Sequence, residues 1–221
     1  MKNHFVYILD FNDSFTYNIA SIIYKNTKNV RVIHHTLIKK FIDKLLKEKQ
    51  YFQKNIAIII GPGPGRPVDY LDLFSPISRL IDIPYIYFMG ICLGHQIIWK
   101  ILGSKITEDI NPVHGKQIEF LLPDWPTVFP KITKNQIVKV QRYNSLIVKS
   151  DHLSSCIAQK RGLKLKMVED GIFMTLFPNG VSYQFHPESI GTSFPDLFFN
   201  SLFKFLYNQC YEERFANRGH L

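Results

Sequence analysis

The sequence predicts an α/β protein with an open, largely parallel central sheet, flanked by helices and extended by antiparallel hairpins. Two observations predict it. Through the first half, short apolar runs alternate with amphipathic stretches, the pattern of strands crossing over through helices. From about Lys105 the pattern changes to short strand-like pieces closed by one further helix.

In chain order, Phe5 to Leu9 reads as a strand, Ser14 to Lys25 as a helix, Val30 to His34 as a strand, Ile38 to Lys49 as a helix and Ile56 to Ile60 as a strand. Tyr85 to Met89 is the next strand and Gly94 to Leu102 the helix after it. Gln117 to Leu122, Ile137 to Gln141, Leu163 to Val168, Ile172 to Phe177 and Val181 to Phe185 read as hairpin strands added to the sheet, and Pro195 to Asn208 as the closing helix. No internal repeat or long linker interrupts the series, which predicts one domain over residues 1–210 and a polar tail over 211–221.

With 221 residues, 46% of them hydrophobic and 20% charged, the chain can bury a sizeable core and is not a disordered polymer. The richest apolar stretch, Ile81 to Leu93, is too short for a bilayer and is broken by Asp82 and Pro84, so no membrane span or membrane partner is expected. The N-terminus runs straight into a strand pattern without a signal-peptide cleavage site. Three widely spaced cysteines, Cys92, Cys156 and Cys210, fit neither a disulfide framework nor a zinc site, which points to a reducing cytoplasm. The net charge of +9 is spread over scattered lysines, without a nucleic-acid-binding motif, and reads as wet helix faces rather than a nucleic-acid surface. No cluster of metal-ligand residues appears, so no metal is assigned.

In open α/β sheets the reactive crevice lies at the carboxyl ends of the strands. Gly90-Ile91-Cys92-Leu93-Gly94 sits there, between a predicted strand and a predicted helix. It is the thiol counterpart of a nucleophile elbow, in which small neighbours allow a strained turn that pushes the nucleophile out of the sheet. The positive end of the following helix favours the thiolate, so Cys92 is expected to be both exposed and acidified. The commoner fate of a lone cysteine is burial in a core; the glycines and the strand-to-helix context argue against it for Cys92, whereas Cys156 and Cys210 keep it.

A cysteine nucleophile works with an imidazole held by a third group. In Gln184-Phe185-His186-Pro187-Glu188, residues 186 and 188 project to the same side of an extended chain, so Glu188 can hold one ring nitrogen while the other faces Cys92. His95, one turn into the helix after the elbow, reads as a support for that turn. Donors for a developing oxyanion come from Gly61-Pro62-Gly63-Pro64-Gly65-Arg66-Pro67, where the prolines lack N–H groups, so that within Gly61 to Gly65 only the three glycines can donate; Gly61 and Gly63 are assigned the role, together with the N–H of Leu93. The same prolines, and the lack of a following Lys-Ser/Thr, exclude a phosphate-binding loop.

GICLGHQ (Gly90 to Gln96) and QFHPES (Gln184 to Ser189) together resemble the signature of the class I glutamine amidotransferases, a family with a flavodoxin-like sheet. Leu9 to Asn18, Gly61 to Pro67 and Arg142-Tyr143-Asn144-Ser145-Leu146 narrow the resemblance to the glutaminase component of anthranilate synthase and aminodeoxychorismate synthase. The resemblance implies a triad of Cys92, His186 and Glu188. It also implies glutamine held by Gly61, Pro62 and Gly63, by the Gln96 side chain and by the backbone of Ser145 and Leu146. It implies L-glutamine as substrate, no cofactor, and a separate chorismate-binding synthase subunit that receives the ammonia. Two departures stand out: Phe11-Asn12 where the family has Asn-Tyr, and Asn144 where it has histidine. The alternatives are a free-standing γ-glutamyl hydrolase or peptidase of the same fold, and a non-catalytic regulatory homologue.

Overall fold

The computed structural model describes residues 4–48, 55–130 and 135–216, with side chains to residue 207. Strands β1 (Phe5–Asp10), β2 (Val30–His34), β3 (Ile56–Ile60) and β4 (Ile86–Ile91) are joined through helices α1 (Thr16–Tyr24), α2 (His35–Lys47) and α3 (Phe74–Ile81), the last preceded by a 3₁₀ segment over Pro67–Leu73. Helix α4 (Leu93–Ile101) follows β4 after a single residue. The second half contributes β5 (Ile106–Glu108), β6 (Lys116–Leu121), β7 (Ile137–Arg142), β8 (Leu146–Val148), α5 (His152–Arg161), β9 (Lys164–Val168), β10 (Gly171–Phe177), β11 (Gly180–Tyr183) and α6 (Pro195–Ala216).

The main sheet has seven strands in the order β2-β1-β3-β4-β11-β10-β9. The first five are parallel, in the doubly wound order of flavodoxin-like sheets, and β10 and β9 add an antiparallel edge. The side chains of β1 alternate between two cores, as a strand buried on both faces requires. Val6 and Ile8 join Ile19 and Ile23 of α1 and Phe198 and Leu202 of α6. Tyr7 and Leu9 join Ile38 and Ile42 of α2, Ile77 of α3 and Ile97 of α4. Each fully buried Ile or Leu contributes about 2 kcal/mol of apolar transfer energy, so the continuous apolar runs Ile56–Ile60 and Ile86–Ile91 fix the middle of the sheet.

Two expectations need correction. Of the hairpin strands, only β9, β10 and β11 enter the main sheet; β6 and β7 pair with each other in a separate ribbon, and β5 pairs with β8 in another. The alternating burial of β7 packs one face of its ribbon on the α6 side of the core, which edge pairing would not allow. The closing helix runs to Ala216 rather than Asn208, so the first six residues of the expected tail are helical. Lys49, the expected end of the second helix, and residues 217–221 of the tail lie outside the described residues, as does the Cys210 side chain.

Candidate active site

β4 and β11 are neighbours in register, Ile91 opposite Tyr183, so the residues that follow each strand emerge side by side at the carboxyl edge. Cys92 follows β4, and its N–H extends the ladder to the Tyr183 carbonyl at 2.8 Å. It then turns at once into α4, with φ 49° and ψ −101°, a left-sided conformation that costs a non-glycine residue of the order of 1–3 kcal/mol. Its glycine neighbours make that turn possible. A Cβ on Gly90 would sit 2.6 Å from Ile98 Cδ1, and one on Gly94 would sit 2.0 Å from the Ile60 carbonyl oxygen. The helix therefore starts pressed against β3, and the Leu93 N–H, in its first turn, has no intrahelical partner.

Cys92 is 8% exposed, which corrects the expectation of an exposed thiol. The elbow lifts it out of the sheet, and the surrounding loops cover it, so that it opens only into a cavity of about 200 Å³. Gly63, Leu93, Gln96, Tyr143, Asn144, Ser145 and Leu146 share the cavity wall.

His186 and Glu188 are both buried, and Glu188 Oε1 accepts from His186 Nδ1 at 2.7 Å. The second Glu188 oxygen, also buried, has no partner among the described residues. With Nδ1 committed to Glu188, Nε2 is the ring nitrogen left free to serve Cys92, whose charge acts on the imidazole. Burial is the largest influence on the imidazole and lowers its pKa. The charges of Cys92 and Glu188 and the hydrogen bond to Glu188 outweigh it, and the result is well above the ordinary 6.5. The ring packs with Phe15 and Tyr143 in a three-ring cluster, its centroid 5.1 Å from each and theirs 5.0 Å apart. Its backbone is pinned by the ribbon: His186 N–H donates to Gln141 O at 2.9 Å, and Thr192 Oγ1 donates to His186 O at 2.6 Å.

A pH dependence follows. The raised His186 pKa contributes stability that is fully present below 6.5 and is lost as pH rises through the folded-state value. Glu188→Gln keeps the shape and removes one of the charges that raise it. The alkaline fall of the thermal unfolding midpoint should then begin at lower pH in the variant; superimposable profiles would contradict the ion-pair assignment.

The loop after β3 departs from expectation at one amide. Gly61 N–H donates to the Leu9 carbonyl at 3.1 Å, continuing the β1–β3 ladder, and is spent. Gly61 and Pro62 are buried behind the loop and do not reach the cavity, whereas Gly63 lines it. Of the expected donors, Gly63 and Leu93 are the residues that line the cavity with Cys92. The loop is braced by Tyr70 Oη donating to Pro64 O at 3.0 Å and by Arg66 N–H donating to Asp69 Oδ2 at 2.7 Å. Phe11, the first departure from the family pattern, is buried against Tyr70 below this loop, and Asn12 takes the positive φ of 62° that asparagine tolerates.

On the opposite wall, Gln96 Nε2 donates to Leu146 O at 2.9 Å and to Gln184 Oε1 at 3.2 Å, and Gln184 Nε2 lies 3.9 Å from Cys92 Sγ. The Ser145 carbonyl accepts from Asp109 N–H. The backbone acceptors of Ser145 and Leu146 are therefore already engaged by protein, and their N–H groups are what they can offer a ligand. Gln184 was visible in QFHPES but carried no signal of its role, because its partners come from α4. His95 bridges Ser182 Oγ at 2.8 Å and Ile172 O at 2.9 Å, and burial pushes its pKa down to about 3: a neutral strut between α4 and the sheet.

A strained cysteine between strand and helix, a carboxylate-held imidazole on the neighbouring strand's extension, and a small cavity lined by Cys92, Gly63 and Leu93 define a cysteine-dependent acyl-transfer enzyme on a doubly wound sheet. The sequence model of the family "Glutamine amidotransferase class-I" matches residues 7–205, and the chain belongs to that family. It is 35% identical to "Anthranilate synthase component 2" of Cyanophora paradoxa, over 85% of this chain and 92% of that protein. It is 31% identical to "Aminodeoxychorismate/anthranilate synthase component 2" of Bacillus subtilis, over 86% and 90%. A relative from Schizosaccharomyces pombe is 33% identical over 85% of this chain, which spans about a quarter, 24%, of that longer protein. Among solved structures, a glutamine amidotransferase from Thermotoga maritima superposes with a TM-score of 0.60 at 16% identity, covering 100% of this chain and 87% of the other. Among the described residues no helix is long and apolar enough to cross a membrane, and no group of three or more potential ligands could hold a metal ion.

Proposed function

We propose that the chain is a glutaminase subunit that hydrolyses L-glutamine through a cysteinyl thioester and supplies ammonia to a chorismate-aminating synthase subunit. The observation that carries the reading is the strained elbow at Cys92, hydrogen-bonded to the end of the strand that leads to His186, with Glu188 holding the imidazole. The Cys92 thiolate attacks the γ-carboxamide carbon, forming a C–S bond and placing negative charge on the carbonyl oxygen, toward the N–H groups of Leu93 and Gly63. The His186 imidazolium gives its Nε2 proton to the departing nitrogen, the C–N bond breaks and ammonia leaves. His186, now neutral, takes a proton from water, whose oxygen attacks the thioester carbon. Glutamate departs, and Cys92 and His186 return as the ion pair. Glu188 keeps Nε2 directed at sulfur throughout.

Names of relatives that denote synthase component 2 support a partner that consumes the ammonia. So does a set of exposed apolar side chains on segments that leave the carboxyl ends of the strands: Tyr17, Leu71, Ile190 and Phe194. We place the subunit as one domain in a reducing cytoplasm, where Cys92 stays a thiol.

The test is release of glutamate and ammonia from glutamine by the chain alone and with a chorismate-binding subunit, with γ-glutamyl peptides as competing substrates. We expect glutamine turnover to rise at least about 10-fold with the partner, the scale of completing part of an oxyanion site. Equal turnover with and without it, or preference for γ-glutamyl peptides, would favour the free-standing hydrolase.

A further inference from the structure

We propose that Asn144 is a positioning residue for substrate recognition: its carboxamide fixes the Leu146 carbonyl, and through it the Gln96 side chain, so that Gln96 Oε1 is the acceptor held toward the α-amino acid substrate. The inference rests on the glutaminase reading above and deepens it.

Asn144 is 3% exposed and lies on the cavity wall. Its Oδ1 accepts from Arg142 Nε at 3.1 Å, and its Nδ2 donates to Leu146 O at 3.1 Å. Arg142 cannot accept and a carbonyl cannot donate, so the two partners fix which way the amide points. Arg142 is itself anchored: its Nη2 donates to Asp109 Oδ2 at 2.5 Å in an ion pair with both side chains buried. Asp109 in turn belongs to the strand pair that presents Leu146, since its N–H donates to Ser145 O at 2.9 Å.

In the β5–β8 ladder the backbone groups of alternate residues face the partner strand. Asp109 and Lys105 bond to Ser145 and Lys149, which leaves Leu146 with its N–H and C=O turned away from β5. The turned-away carbonyl receives two donors, Gln96 Nε2 and Asn144 Nδ2. Both lone pairs are then occupied, so this carbonyl is closed to a substrate ammonium group. The Gln96 amide has given both hydrogens, one to Leu146 and one to Gln184. What Gln96 retains is Oε1, an acceptor on the cavity wall. The buried ion pair is thus connected to the substrate side of the pocket by one neutral amide, which accepts on one side and donates on the other.

Asn144→Asp separates this role from mere packing. Aspartate has the same shape and still accepts from Arg142, but it cannot donate to Leu146 and sets an oxygen against that carbonyl. In the chain with its synthase partner, we expect KM for glutamine to rise about 10-fold or more with kcat changed less than about twofold, the pattern of a lost ground-state contact, and the thermal midpoint to fall because two oxygens now face each other in a buried site. Asn144→Ala loses both bonds and carries the same test should the aspartate variant not fold; it should show the KM rise together with a lower midpoint. A KM within twofold of wild type in a folded variant overturns the inference, whatever happens to stability or kcat. A wild-type complex that consumes no glutamine removes the parent reading, and that is seen before any variant is compared.

Discussion

Cys92→Ala should abolish glutamine-dependent ammonia release, with a loss of about 10⁴-fold or more, while synthase binding and the thermal midpoint survive. The size of the effect follows from the site's construction. The nucleophile and its base act as one unit, so removing either removes covalent catalysis, and what remains is binding and two amide donors. The fold should tolerate the change because the elbow is held by its neighbours: the N–H of residue 92 bonds to Tyr183 whatever side chain it carries, and Gly90 and Gly94 make room for the turn. Alanine at φ 49° is strained no more than cysteine is. A matching measurement is alkylation with iodoacetamide at limiting concentration. Modification of Cys92 ahead of the exposed Cys156 is expected, because a carboxylate-held imidazole is available to take the thiol proton as the sulfur attacks. Full glutaminase activity in the alanine variant would end the thioester mechanism.

Much of this was legible in the sequence because it is encoded in short, strongly patterned pieces. The strands Val30–His34 and Ile56–Ile60 fall where their apolar runs put them, and the elbow and Gln184–Glu188 segment each carry their chemistry within five residues. The helices missed are those whose burial depends on distant partners. In α5 only Ser154 and Ala158 are buried, so no apolar stripe announces it. The signal that was available is the capping box, Asp151 accepting from Ser154 N–H, with Gly162 closing the other end in a left-handed conformation. Helix α3 is not among the expected elements; its Pro76 lies in the first turn, where proline is at home.

At the site, what the sequence could not supply were commitments between neighbours brought together by the sheet. Gly61 looked like an available donor because nothing local showed Leu9 beside it. Asn144 looked like a minor departure because its partners, Arg142 and Leu146, matter only once Gln96 arrives from another helix.

The second large effect concerns the fold rather than the chemistry. Gly94→Ala should destabilise the protein by more than about 4 kcal/mol and leave little soluble chain, a size reserved for a few mechanisms, of which steric conflict in a packed interior is one. The added Cβ would lie 2.0 Å from the Ile60 carbonyl oxygen, 2.7 Å from its carbon and 3.1 Å from Ile60 Cβ. None of these atoms can give way. Ile60 ends β3, which is hydrogen-bonded to β1 on one side and β4 on the other, so it could move only by opening the middle of the sheet. Nor can α4 retreat, because its buried face from Leu93 to Trp99 is packed along its whole length. Gly103→Ala is the informative comparison. It has φ 96° and nothing within 4 Å of the added carbon, so it tests conformational strain alone and should cost only about 1 kcal/mol. Denaturant unfolding of the two variants beside wild type separates close approach from backbone freedom. Wild-type stability in the Gly94 variant would mean that α4 is not seated against β3, and that the amide of Leu93 is not held where the oxyanion needs it.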